Sequence, residues 1–229
     1  DLTLTAAELK ADGATLLQAG GHLTLAARIG QIEHHSDSQS HDRLAIFNRA
    51  YDRETGRQSA DHSETTQHGT RIQSGGNLAL IANGDARRLG ADLASQSSIA
   101  VVGQNVAIAA LKNTITDEHR SKIGKNKTNS QSEHDTLTGG TINGVGDVTI
   151  LALGDAGRLD LAGAQIASQD GHTYLGAVGD IAIGTVTTDH HQYSESLTKK
   201  SGFLSSKKTH KVEEGWATQR VLIGSNAFY

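Results

Sequence analysis

The fold this sequence predicts is all-β: a parallel (right-handed) β-helix solenoid with polar insert loops or β-hairpins projecting from it. Three observations predict it. One short strand pattern recurs six times along 229 residues. The composition favours small and β-branched residues, with 26 Gly and no Pro, Cys or Met. Long polar segments interrupt the strands at a regular interval.

The recurring strand comes first. DLTLTA (1–6), HLTLAA (22–27), NLALIA (77–82), NVAIAA (105–110), DVTILA (147–152) and DIAIGT (180–185) each open on Asp, Asn or His and then alternate apolar with small or Thr residues. Gly21, Gly76, Gly146 and Gly179 directly precede four of them. Gly and Asp or Asn supply a turn, and alternation at period two supplies a strand. Such a strand cannot bury its apolar face alone, but stacked copies can. The expected inner column holds Leu2, Leu4, Leu23, Leu25, Leu78, Leu80, Val106, Ile108, Val148, Ile150, Ile181 and Ile183, with all six strands in one stack.

A longer period contains the short one. Asn77 recurs as Asp147 and Asn105 as Asp180, giving a unit of roughly 70–80 residues. The flanks repeat as well: RIQSGGNLALIA (71–82) resembles TINGVGDVTILA (141–152). The chain therefore reads as a single β-helical segment, 1–229, of a longer filament. It holds three repeats at about 1–71, 72–140 and 141–219, with the start of a fourth. DLTLTA already sits inside a repeat, so the natural N-terminus is expected elsewhere.

Each repeat carries a polar insert, at about 33–71, 112–138 and 187–215. The second has only Ile115, Ile123 and Leu137 as aliphatics. Segments this polar cannot bury enough apolar surface to fold alone, so they are expected to leave the shaft as hairpins or loops. The remaining residues suffice for about six or seven coils of roughly 20 residues, a rod about 30 Å long.

The rest of the composition excludes alternatives. Aromatics are 3%, too few for an aromatic core. The 21 basic and 25 acidic residues mix along the chain, so no basic face for nucleic acid is evident. Absent Cys excludes disulfides and thiolate metal sites. Absent Pro suits strands hydrogen-bonded on both edges. Frequent Gly and the lack of a helical stripe argue against helix.

GGHLTL (20–25), GGNLAL (75–80), GVGDVTI (144–150) and AVGDIAI (177–183) resemble the GG-[DN]-[LV]-x-[LI] strands of filamentous-haemagglutinin-type repeats, which Gram-negative bacteria export by two-partner secretion. SESLTKKSGFLSSKKTHKVEEGWATQ (194–219) is similar to the second repeat region of contact-dependent growth-inhibition exoproteins and haemolysin-like adhesins. The resemblance covers essentially the whole chain. It implies an extracellular filament on the bacterial surface, an outer-membrane transporter as partner during export, and contact with a target-cell outer membrane or surface receptor. In the growth-inhibition branch it implies toxin delivery. An adhesin stalk, or a carbohydrate-active β-helix enzyme, are the competing classes. Copy one departs from the pattern through LAIFNRAYDRETGRQ (44–58).

Few residues stand out as a site, and no catalytic residue, cofactor or metal is expected. The segment is expected to be monomeric, non-enzymatic and without a nucleic-acid partner. Phe203 and Leu204, flanked by Lys199, Lys200, Lys207 and Lys208, are the candidate partner or membrane contact. Acids Asp189, Glu195, Glu213 and Glu214 nearly cancel those lysines. His34 with His35, and Asp189 with His190 and His191, could ligate a metal, but neighbours on a strand point to opposite faces. Asp117, Glu118, Glu133 and Asp135 would be the acids of a glycosidase, set in a segment expected to be too mobile to hold them. Trp216 is expected to pack where the last insert rejoins the coil.

Overall fold

The computed structural model describes the backbone of residues 1–46, 49–124, 126–201, 206–211, 219–224 and 226–228, and side chains outside 42–55, Leu89, Lys125 and 199–229. It is a parallel β-helix of three faces. The first coil is β1 (Leu2–Thr5), β2 (Glu8–Ala11) and β3 (Thr15–Ala19). The second runs from β4 (Leu23–Ala26) through a hairpin, β5 (Arg28–Ile46) and β6 (Arg49–His68), to β7 (Arg71–Ser74) and β8 (Leu78–Ala82). The third is β9 (Ala86–Leu89), β10 (Asp92–Ser95) and β11 (Ile99–Gly103). The fourth takes β12 (Val106–Ala109) through a second hairpin, β13 (Leu111–Ile123) and β14 (Asn126–Thr138), to β15 (Thr141–Gly144) and β16 (Val148–Ala152). The fifth is β17 (Leu159–Ala162), β18 (Gln165–Ser168) and β19 (Thr173–Ala177). In the sixth, β20 (Ile181–Ser201) leaves the shaft and pairs with β21 (Ser206–Lys211) and β22 (Gln219–Gly224) before β23 (Asn226–Phe228) returns to it.

The first face stacks β1-β4-β9-β12-β17-β20, the second β2-β7-β10-β15-β18-β23 and the third β3-β8-β11-β16-β19, all parallel. Inward side chains align in columns. Leu9, Ile72, Leu93, Ile142 and Ile166 run down the second face, and Leu17, Leu80, Val101, Ile150 and Leu175 down the third. Together with Leu23, Leu25, Val106, Ile108, Leu159 and Leu161 they form one narrow core.

The structure corrects two expectations about that core. The six recurring strands do not form one stack: four lie on the first face, while 77–82 and 147–152 lie on the third. The reason is that the opening Asn or Asp serves two corners. Asn77 Oδ1 accepts from the backbone N–H of Ser98 at 3.3 Å where the second face turns into the third. Asn105 Oδ1 does the same for Arg158 N–H at 2.9 Å where the third turns into the first. Both corners need the same cap, so both strands look alike in sequence. Second, Ile181 and Ile183 are 44% and 61% exposed. They continue the inner column beside Leu159 and Leu161, but among the described residues no strand stacks beyond them on the first face. Leu2 and Leu4 are only half-buried at the opposite end.

The corner between the first and second faces is where the chain chooses between turning and projecting. Where it turns, the corner residue is left-handed: Ala6 (φ 47°), Gly90 (φ 61°) and Gly163 (φ 61°). Where Ala27 and Ala110 hold that place, the strand runs on into a hairpin.

Candidate interaction surface: the hairpin sheet

Both complete hairpins, and β20, leave the shaft at this one corner, in coils two, four and six. Two coils rise about 9.6 Å, because stacked strands lie about 4.8 Å apart. A hairpin is two strands wide, so it fills that interval. Successive hairpins therefore meet edge to edge. Strand β6 pairs antiparallel with β13 from Thr65↔Thr114 to Gly56↔Ile123, and β14 pairs with β20 from His134↔His190 to Lys127↔Leu197. The polar inserts thus form one antiparallel sheet, ordered wherever described. The polarity that argued for loops holds, since neither face of this sheet is a packed core. What the sequence concealed is that each hairpin's edges are hydrogen-bonded by its neighbours.

The joints between hairpins carry the specific polar contacts. Between the first two, Gln67 N–H donates to Asn113 Oδ1 and its Nε2 to the Lys112 carbonyl, each at 2.8 Å. His62 Nδ1 lies 2.6 Å from Asp117 Oδ1. Between the second and third, the buried carboxylate of Asp135 accepts from the Asp189 N–H at 2.8 Å, and within its own hairpin it accepts from Lys112 Nζ at 2.9 Å and Thr114 Oγ1 at 2.7 Å. Burial pushes the Asp135 carboxyl up, but these donors outweigh it and hold it below the usual carboxylate range. The rings of His134 and His190 pack 4.3 Å apart across the same joint.

The candidate residues fall as follows. The four acids do not converge. Asp117 meets His62, Glu118 pairs with Arg120, Asp135 is the joint just described, and Glu133 stands opposite His191 across the strands. In the structure that segment forms strands β13 and β14, and the four acids are spread along them. Among the described residues, no three His or acids are grouped to hold a metal ion. His34 stands opposite His62 across the strands, while His35 turns to the other face and pairs with Asp61 and, at 3.1 Å, Asp37. Hydrogen bonds donated to the Asp61 and Asp37 carboxylates raise the His35 pKa above its ordinary value.

Phe203, Leu204 and Trp216 lie outside the described residues. The lysine positions are opposed in backbone register, Lys199 to Lys208 and Lys200 to Lys207. A cationic group not anticipated from sequence is also present. Arg57, Lys122 and Lys127 stand in one row across β6, β13 and β14, with Arg120 two residues nearer the shaft. Arg57 and Lys122 belong to different hairpins, so no local pattern announces the row.

The chain is 29% identical over 224 residues to the tRNA nuclease CdiA of Escherichia coli (strain STEC_O31), covering 96% of this chain and 6% of that protein. It is 28% identical over 163 residues to the tRNA nuclease CdiA-2 of Burkholderia pseudomallei (strain 1026b), covering 69% of this chain and 5% of that protein. The chain thus spans only about one-twentieth of the curated relatives it matches. No solved structure matches it. The hemagglutinin repeat family matches residues 1–124 and again 121–215, so with a stacked shaft beneath its repeating strands this chain belongs to the hemagglutinin repeat family.

Proposed function

We propose that this chain is a length of shaft in a large secreted exoprotein exported by two-partner secretion, and that the shaft acts in delivering a toxin into neighbouring bacteria across their outer membrane. The observation that carries the reading is the one-sided hairpin sheet. Because every hairpin leaves from one corner, the rod presents a continuous lateral surface that can lie along a target. The similarity to two proteins named tRNA nucleases, each far longer than this segment, supports a cargo carried elsewhere in the same polypeptide. The implied partners are an outer-membrane transporter during export and a target-cell outer membrane or surface receptor. The implied location is the surface of a Gram-negative bacterium. The segment itself is read as non-enzymatic, with its acids spent on joints between strands.

Contact chemistry is assigned to the hairpins, with Phe203 and Leu204 as its apolar element and Lys199, Lys200, Lys207 and Lys208 around it. The test uses the full-length protein on the producing cell carrying Phe203→Ser and Leu204→Ser together. Cell–cell binding should persist while killing of target cells falls. Loss of binding together with killing would make the region an adhesin stalk, the second reading, which the broad water-facing sheet favours. If neither changes, the segment is a spacer.

A further inference from the structure

The basic row of the hairpin sheet sets three cations side by side. Arg57, Lys122 and Lys127 occupy directly opposed positions on three adjacent strands, so their side chains leave the same side of the sheet. Opposed like charges weaken a sheet. Neither Lys122 nor Lys127 has a hydrogen bond or ion pair among the described residues, and both are exposed. Arg120 stands on the same side, its guanidinium held by Glu118. The four line a groove of about 500 Å3 with Ser59, Asn129 and Leu197 and with one carboxylate, Glu195, which accepts from Tyr193 Oη at 3.0 Å. The chain as a whole is acidic, net −4, so the row is a local departure and not a general basicity. Two lysines set in opposition with no compensating side-chain contact among the described residues, Lys122 and Lys127, mark a site held for something other than stability.

We propose that this groove binds clustered phosphate esters on a polyhydroxy ring, free or displayed as a lipid headgroup. Adjacent strands set neighbouring cations about 5 Å apart, an interval that suits phosphates on neighbouring ring carbons. Arg120 offers the side of its guanidinium that Glu118 leaves open, and the two lysines offer point charges, a pairing that suits phosphate. No aromatic side chain lines the groove, so it lacks the stacking platform single-stranded nucleic acid uses. The inference is independent of the delivery reading, because it concerns affinity and not killing.

The test is titration calorimetry of the 229-residue chain with inositol hexakisphosphate, with neutral inositol as control. Phosphatidylcholine vesicles with and without phosphatidylinositol 4,5-bisphosphate, and a thymidine oligonucleotide, form the other arms. Inositol hexakisphosphate should bind with salt-dependent affinity and neutral inositol should not. Lys122→Gln with Lys127→Gln should weaken binding at least tenfold, while Lys10→Gln with Arg71→Gln on the shaft should not. Binding by the vesicles as well would identify a headgroup as a source, and binding by the soluble ring alone a free ligand; either supports the site. The groove is overturned if neither phosphate probe binds, if both double variants lose affinity equally, or if the oligonucleotide binds more tightly. The Lys122→Gln, Lys127→Gln variant should melt no lower than the parent, since it relieves repulsion. A lower melting temperature would make the row a structural element and also overturn the proposal.

Discussion

Arg88 stands in the inner column where other coils place Leu25, Ile108 and Leu161. It is fully buried, with Nη2 donating to the Ala91 carbonyl at 3.4 Å and no protein partner for Nε or Nη1. Burial lowers its pKa to about 9, with Asp92 opposing. The folded chain therefore holds this proton less tightly than the unfolded chain, and stability contributed here rises as pH climbs from about 9 toward the ordinary range of a free guanidinium. At neutral pH the full penalty applies. Arg88→Leu should raise unfolding free energy by about 1–4 kcal/mol at pH 7, read from the urea midpoint. An unchanged or lower midpoint would mean that the guanidinium is satisfied in solution. Ala6 offers a smaller gain. It adopts the left-handed corner that Gly90 and Gly163 fill elsewhere, so Ala6→Gly should stabilise by about 1 kcal/mol. No sequence pattern flags either residue: ARRL reads as an exposed strand, and Ala is unremarked at a turn.

Among elements, the hairpin joints are the parts whose loss should be felt beyond their own strands. Asp135→Ala removes the acceptor shared by Lys112, Thr114 and the Asp189 N–H. Because Lys112 remains partly in water, the cost should be about 2–3 kcal/mol rather than that of a wholly buried pair. Hydrogen exchange should quicken in β14 and β20 while β8 and β11 keep their protection; uniform loss would show the joint to be part of the shaft's folding unit. The carboxyl is held low in the folded state, so its contribution is present above the unfolded pKa and fades as pH falls through the folded one. His35 works in the opposite sense. Its raised pKa makes the contribution complete below the ordinary value of 6.5 and lost as pH rises through the folded one. Proton NMR should place the His35 titration above that of a free imidazole in the parent and nearer to it in Asp61→Asn. The strands themselves were legible, because period-two alternation survives in every coil. Their division between two faces was not, since one Asn or Asp cap serves two corners. The second face was missed altogether: RIQS, DLAS, TING and QIAS carry one large apolar residue each, too little for a periodic signal. The hairpins were read correctly as polar but not as partners of one another, because pairing between segments dozens of residues apart follows from where they leave the coil.

At the scale of the whole molecule, shaft and hairpin sheet share one set of spacings but have separate sources of stability. The shaft rests on its apolar columns and the hairpin sheet on edge pairing. Replacing 111–138 with a short Gly-Ser turn should leave the shaft folded. It should also part β6 from β20 by two strand widths, about 10 Å. Circular dichroism should keep its β signal, while exchange protection of β6 and β20 beyond the corner falls. Collapse of the shaft core in that variant would show the two sheets to be one cooperative unit.

The pairing of each hairpin with two coils also bears on how such a chain can change length. A duplication or deletion of a single coil would shift every later hairpin by one strand width and leave an unmatched edge on the lateral sheet. A change of two coils with one hairpin keeps all edges paired. Unequal recombination between repeats is therefore tolerated only in steps of roughly 70–80 residues. The long sequence period is the heritable unit that this geometry leaves open to selection.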